Sequence, residues 1–246
     1  MKKMVSLFAA AVVFFSCNNS DKSTKEKNDG KETVAAITDA VVNSPLLGSF
    51  VGPFGDNKIT LLITRVMGDT VEGRSVVGGN DRPFSGIATR TNGVYTIVAK
   101  EPGDDKYDGV FNISFDEKTP DMVSGSWKPY KDGGHGGAKD FSLSRNVFKY
   151  LVDVGQYPEA SKRLLTENDV NNLLKYDLQT MRNEIFARHG YCFKKKDLRE
   201  QFEDKDWYIP NTTDIKKDLT DIEKKNIALI KKYEKYADEY GDDFGR

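Results

Sequence analysis

The side chain in this sequence with the most defined chemistry is the thiol of Cys17. Met1-Lys2-Lys3 is followed by an apolar run from Met4 to Phe15, interrupted only by Ser6, and then by Ser16-Cys17-Asn18. Two lysines ahead of about a dozen apolar residues form a secretory signal, because a membrane-spanning helix needs roughly 20. A signal cut between a small residue and a cysteine leaves that thiol to be alkylated by diacylglycerol. Residues 1–16 are therefore read as a lipoprotein signal peptide and Cys17 as the lipidation site, so that the membrane is a partner through the acyl chains. Phe14 and Phe15 stand where Leu and a small residue are more usual, and a plain signal with an incidental cysteine is the competing reading. Asn18 follows the cysteine where Asp would favour retention at the inner membrane, which points to the outer membrane.

Four other groups invite a chemical reading. His189 carries an imidazole that can act as acid, base or ligand near neutral pH. It stands at the end of a helical pattern ahead of Gly190, where the helix dipole favours a cation, so Arg188 and His189 are read first as structural, pairing with Glu184 or with chain-end carbonyls, and second as recognition residues. Cys192 lies between Tyr191 and Phe193, a setting that buries a thiol, raises its pKa and makes it inert. With Cys17 acylated, Cys192 has no disulfide partner. Glu101, Asp104, Asp105 and Asp108 crowd one loop that could take calcium, but the spacing fits no loop signature and Lys106 interrupts it, so a solvated turn is preferred. The second histidine, His135, lies in Gly133-Gly134-His135-Gly136-Gly137, which reads as a hairpin tip; neither a metal site nor a cofactor is expected. The chain has no HExxH, Walker loop, GxSxG or CxxC, and no catalytic residue is assigned. With 37 Lys+Arg against 38 Asp+Glu there is no global field to attract nucleic acid.

The elements that must position these groups divide into two domains after a tether. Residues 17–44 are read as the lipidated cysteine and a flexible tether: Asn18 to Glu32 hold nothing apolar to bury and should be disordered, and the roughly 28 residues through Ser44 would reach about 30 Å. Val34 to Val42 has apolar residues at helical spacing and is read as a minor helix. Residues 45–146 alternate with period two between Gly, Asn and Asp turns, giving strands near 47–52, 58–67, 70–78, 82–91, 94–100, 107–115, 121–129 and 139–145. Met67-Gly68-Asp69-Thr70 and Thr91-Asn92-Gly93-Val94 are tight hairpins, so the order is an antiparallel meander, and eight such strands can close into a small barrel. Gly73, Gly86, Gly109 and Gly125 fall inside these strands, where a closing barrel needs its backbone to bend or be approached. Residues 147–240 turn helical. Thr166 to Asp169 makes a capping box for a helix to about Leu174, and Asp177 caps a second with Leu178, Met181, Ile185 and Phe186 inward. A third runs near Lys196 to Glu203, and a last begins at Thr220 with Ile222, Leu229, Ile230, Tyr233 and Tyr236 as its stripe.

Phe186-Ala187-Arg188-His189-Gly190, with Tyr157-Pro158-Glu159-Ala160-Ser161 and Leu164-Leu165-Thr166 before it and Trp207-Tyr208, Leu219-Thr220 and Ile222 to Ile227 after it, resembles the YARHG domain, with Phe in place of the first Tyr. That resemblance implies an accessory module of extracytoplasmic bacterial proteins and brings no catalytic residues. The β-rich half resembles lipocalin-like barrels in architecture only. The leading functional expectation is a non-enzymatic, lipid-anchored envelope protein that binds an envelope protein or a surface polymer, with Arg188, His189, Trp207 and Tyr208 as candidate binding residues; aromatics near Trp207 give contact area at low entropic cost. The alternatives are a carrier of a small apolar ligand, which needs an open cavity behind Phe111, Ile113 and Trp127, and a wall hydrolase, which needs acid groups converging in a cleft.

Overall fold

The computed structural model describes residues 44–104, 107–131 and 137–240. The segments read above as signal peptide, tether and minor helix, with Cys17, Asp105 and His135, lie outside the described residues. Eight strands run β1 Gly48–Phe54, β2 Asn57–Met67, β3 Thr70–Val77, β4 Asn80–Thr91, β5 Val94–Lys100, β6 Gly109–Asp116, β7 Met122–Pro129 and β8 Lys139–Arg145. Each pairs antiparallel with the next, and β1 meets β8 through Phe50 opposite Arg145 and Val51 opposite Ser144, so the meander closes into a barrel. The eight-stranded expectation holds.

Alternation decides what fills the barrel. Leu61 and Ile63 on β2, Ile97 and Ala99 on β5, and Phe111, Ile113 and Phe115 on β6 all point inward and are buried in one apolar core. Phe54, Phe84, Phe111, Phe141 and Trp127 pack against one another with ring centroids 5.8 to 6.5 Å apart. Gly109 and Gly125 make room for two of them: a Cβ there would fall 2.7 Å from the Trp127 indole and 2.9 Å from the Phe141 ring. Asn92 and Gly93 both take positive φ, as a two-residue hairpin requires.

Five helices follow: α1 Glu159–Lys162, α2 Glu167–Val170, α3 Lys175–Arg188, α4 Lys196–Phe202 and α5 Asp221–Tyr240. Among the described residues no helix is long and apolar enough to cross a membrane. The Thr166 and Asp169 capping box is present, but its helix stops at Val170 instead of Leu174 because Leu174 is extended and already serves as N-cap of α3. Asp177 consequently sits within the first turn of α3, where its charge favours the helix N-terminus, and does not cap it. The stripe of α5 is also rotated from the expected one. Its centre holds Glu223 and Asn226 with Ile227, Ile230 and Tyr233, while Ile222, Leu229 and Tyr236 flank it half-buried.

The helical module covers part of the barrel's outer wall. Thr60 and Val76 alternate outward from β2 and β3, yet both are fully buried. Beside them the Lys58 backbone N–H donates to Glu203 at 2.9 Å, the Lys58 ammonium donates to the Lys205 and Tyr208 carbonyls at 3.0 and 3.2 Å, and Arg199 donates to Asn57 at 2.8 Å. At the β3–β4 turn the Gly79 N–H donates to the Cys192 sulfur at 3.1 Å.

Candidate functional site

The C-terminal end of α3 gathers the residues with the most chemistry, and it buries them. Arg188, 1 % exposed, donates from Nε to the Val154 carbonyl at 2.8 Å, from one terminal nitrogen to Ser161 Oγ at 3.1 Å and from the other to Glu184 at 2.9 Å. Glu184 also accepts the backbone N–H groups of Gln156 and Tyr157 at 2.7 and 2.8 Å. One residue on, His189 lies 2.8 Å from Glu223 and stacks on Tyr150 with centroids 4.5 Å apart. Glu223 further accepts Ser161 Oγ–H at 2.8 Å, the Tyr150 hydroxyl at 3.0 Å and the Thr220 N–H at 2.9 Å. Burial pushes its carboxyl up, but the bonds from His189, Thr220 and Ser161 outweigh that and hold it down at about 2. Glu223 is therefore ionised at neutral pH, which makes His189 Nε2 the donor.

Ser161, His189 and Glu223 are the residue types of a hydrolytic triad in a different wiring. In a triad the serine bonds the imidazole, and the carboxylate sits behind it. Here serine and histidine both donate to the same carboxylate, and Ser161 Oγ also accepts from Arg188. The arrangement ties the segment from Tyr150 to Ser161 to α3 and α5. Gly190 completes it at φ +69°, where a Cβ would lie 2.8 Å from Phe148. Asn226 does similar work on the next segment, accepting from Leu165 N–H and donating to the Ala160 and Arg163 carbonyls at 2.7 to 2.8 Å.

Of the four candidate binding residues, Arg188, His189 and Tyr208 are thus inside. Tyr208 packs with Phe193 and Phe202 and donates to the Tyr191 carbonyl at 2.9 Å. Cys192 is buried beside them at the seam, and burial pushes its thiol up to about 11. Only Trp207 reaches a surface. It packs edge-on against Phe202 at 6.2 Å and, half-buried, lines a cleft of about 320 Å³ with Asp206 and Ile209 from the module, Arg145 and Asn146 at the end of β8, and Val147, Lys149 and Leu151 of the connecting segment. Arg145 is engaged in structure, donating to the carbonyls of Leu47 at 2.6 Å, Pro45 at 2.9 Å and Pro120. Lys149 has no ion-pair partner among the described residues. A second groove, of about 260 Å³, lies on the outer wall by Ser114, Met122, Ser124 and Ser142.

The barrel holds one polar group that period-two reading passed over. Glu101 continues the inward parity of Ile97 and Ala99 beyond the end of β5, which is the signal that could have found it. Its carboxylate accepts Ser75 Oγ–H at 2.8 Å, and the Gly109 N–H and Trp127 indole N–H at 3.0 Å each. Burial raises its pKa, with those bonds opposing. Glu101 is therefore occupied, Asp108 lies 3.3 Å from Arg82, and no metal-holding group of His, Cys, Asp or Glu occurs among the described residues. The apolar-ligand carrier needs an open cavity behind Phe111, Ile113 and Trp127, and these three pack with their neighbours in the interior core, while the two clefts above lie outside it.

No curated protein and no solved structure matches the chain. Residues 155–235, which hold the whole of α1 to α4 and the Arg188-His189-Gly190 turn with its buried carboxylates, match the YARHG domain.

Proposed function

We propose that this chain is a non-enzymatic protein of the cell envelope, lipid-anchored through Cys17 in the outer membrane, in which the barrel and the YARHG-matching module together present a binding surface for an envelope component. The observation that carries the reading is the cleft. Arg188, His189, Ser161, Glu184 and Glu223 are consumed in holding the module together. The barrel interior is filled. Facing outward and gathered in one cleft are Trp207 with Val147, Lys149 and Leu151, and Arg145 and Asn146 at the end of β8 line the same cleft from the barrel. The anchor is supported by Lys2-Lys3, the apolar run and Ser16-Cys17.

Two measurements in cells test it. Metabolic labelling with an alkyne fatty acid should mark the protein and not its Cys17→Ala variant, which should leave the membrane fraction. A photo-crosslinking residue at Leu151 should capture one class of envelope component, whereas one at Ile87, somewhat more exposed on the barrel wall, should not. Equal capture from both positions would defeat the cleft as the binding surface, and turnover of purified wall polymer would revive the hydrolase.

A further inference from the structure

The side of the molecule on which the described chain begins is the side that carries the cleft. Arg145 is the common element: it lines the cleft and clamps the carbonyls of Pro45 and Leu47, near the start of the described chain. From Cys17 to that clamp is about 28 residues, and a flexible chain of that length would reach about 30 Å, less than the diameter of a body of this size. Of all its faces, an anchored body most often turns the face bearing its tether toward the bilayer.

That face has the composition of an interfacial contact. Val147 is 60 % exposed and Leu151 41 %, both next to the half-buried Trp207. Lys149, exposed between them, has no ion-pair partner among the described residues. Indole rings and aliphatic tips settle at the depth of the headgroups, and a lysine stem can lie along them with its ammonium toward lipid phosphate. We propose that the cleft rim of Val147, Lys149, Leu151 and Trp207 is a membrane-contact surface and that the envelope component it meets is the lipid surface itself. The inference rests on the lipid-anchored reading above. A tether of this kind sets an effective concentration on the order of millimolar, so the contact orients the body even if it would never hold a free protein on a membrane. The acyl chains retain the protein. The rim sets which way the barrel and module face.

The test couples the chain beginning at Cys17 to maleimide lipid in vesicles of phosphatidylethanolamine and phosphatidylglycerol that carry a nitroxide at headgroup depth. Cys192 is buried, so brief coupling modifies Cys17 first. The fluorescence lost on adding the nitroxide lipid, and absent in Trp207→Phe, belongs to Trp207; Trp127 stays inside the barrel. Quenching of Trp207 in the coupled protein, removed in Val147→Glu/Leu151→Glu with its thermal melt unchanged, is the expected result. No quenching, or equal quenching in the double variant, overturns the contact. So does a Leu151 photo-crosslink in cells that goes to a protein or a glycan polymer instead of lipid. Because coupling replaces the natural acylation, failure of the anchor reading shows separately, as a Cys17 that takes up no fatty acid in cells.

Discussion

The barrel and the helical module each bury a carboxylate, and the two are held in opposite ways. Glu101 sits among aromatic rings with three neutral donors, and loss of water dominates, so its proton is held more tightly than usual. Glu223, with no exposed surface, meets more donors, among them an imidazole, and they win, bringing it to about 2. Burial alone does not decide a buried acid's charge; the donors aimed at it do. The barrel is thus an apolar core that tolerates Glu101 with its Ser75 partner. The module is a small core that also buries a wired polar set, Glu184 with Arg188 and Glu223 with His189.

The sharpest way to break that comparison is to remove one member of the wired set. Arg188→Met should cost about 3–5 kcal/mol, since it leaves Glu184 buried without its cation and two more acceptors without a donor. Arg188→Lys should recover little, because an ammonium cannot reach Val154, Ser161 and Glu184 together. In the barrel the conservative Phe111→Leu should cost far less than Arg188→Lys, because an apolar core repacks. Urea denaturation followed by circular dichroism measures all three, and a similar cost for the two conservative changes would erase the distinction.

Acid should separate the halves next. Glu223 is lowered from 4.5 to about 2 in the fold. Its contribution, about 3 kcal/mol, is therefore present above pH 4.5 and lost as the pH falls through 2. Glu101 is raised, so its contribution is full below the ordinary carboxylate value and lost as the pH rises through its folded one. Between pH 4.5 and 2 the module should lose amide exchange protection before the barrel, and Glu223→Gln should flatten that acid limb. Simultaneous loss in both halves would show that the two carboxylates do not govern it.

The same contrast explains what could be read from the sequence. The barrel's eight strands were legible to within two residues at each end, because an inward-outward pattern with Gly68 and Asn92-Gly93 turns leaves one register. Apolar periodicity served the module less well. It placed Leu178, Met181 and Ile185 inward, but α3 also buries Thr180, Asn183, Glu184 and Arg188, which such a reading assigns to water. The pairing of Glu184 with Arg188 was legible from its four-residue spacing. The partnership of His189 with Glu223, 34 residues on, was not, since a capping-box glutamate has a sufficient local reason to be there. The burial of Thr60 and Val76, which alternation turns outward, left no trace in the pattern.

Between the two regions, the seam should respond to a single methyl group. Gly79 has φ +81°, and a Cβ there would lie 2.6 Å from the Lys194 backbone. Gly79→Ala should weaken docking by about 1–3 kcal/mol, from strain and from the displaced neighbour. Cys192, whose sulfur accepts the Gly79 N–H, reports it: alkylation by iodoacetamide in the native state should speed up roughly five- to a hundredfold, at tenfold per 1.4 kcal/mol. An unchanged rate would mean that the thiol is protected by the module alone.

The smallest effect separates inside from outside. Val147→Ser and Leu151→Ser remove apolar atoms that already face water, so each should change stability by no more than about 0.5 kcal/mol. Ile185→Ser, in the same module but fully buried, should cost several times more, because it puts an unpaired hydroxyl and a cavity into the core. Chemical denaturation of the three variants tests the assignment directly. If either rim substitution cost as much as the core one, Val147 and Leu151 would belong to the packing of the connecting segment, and the rim would be no free surface for lipid to meet.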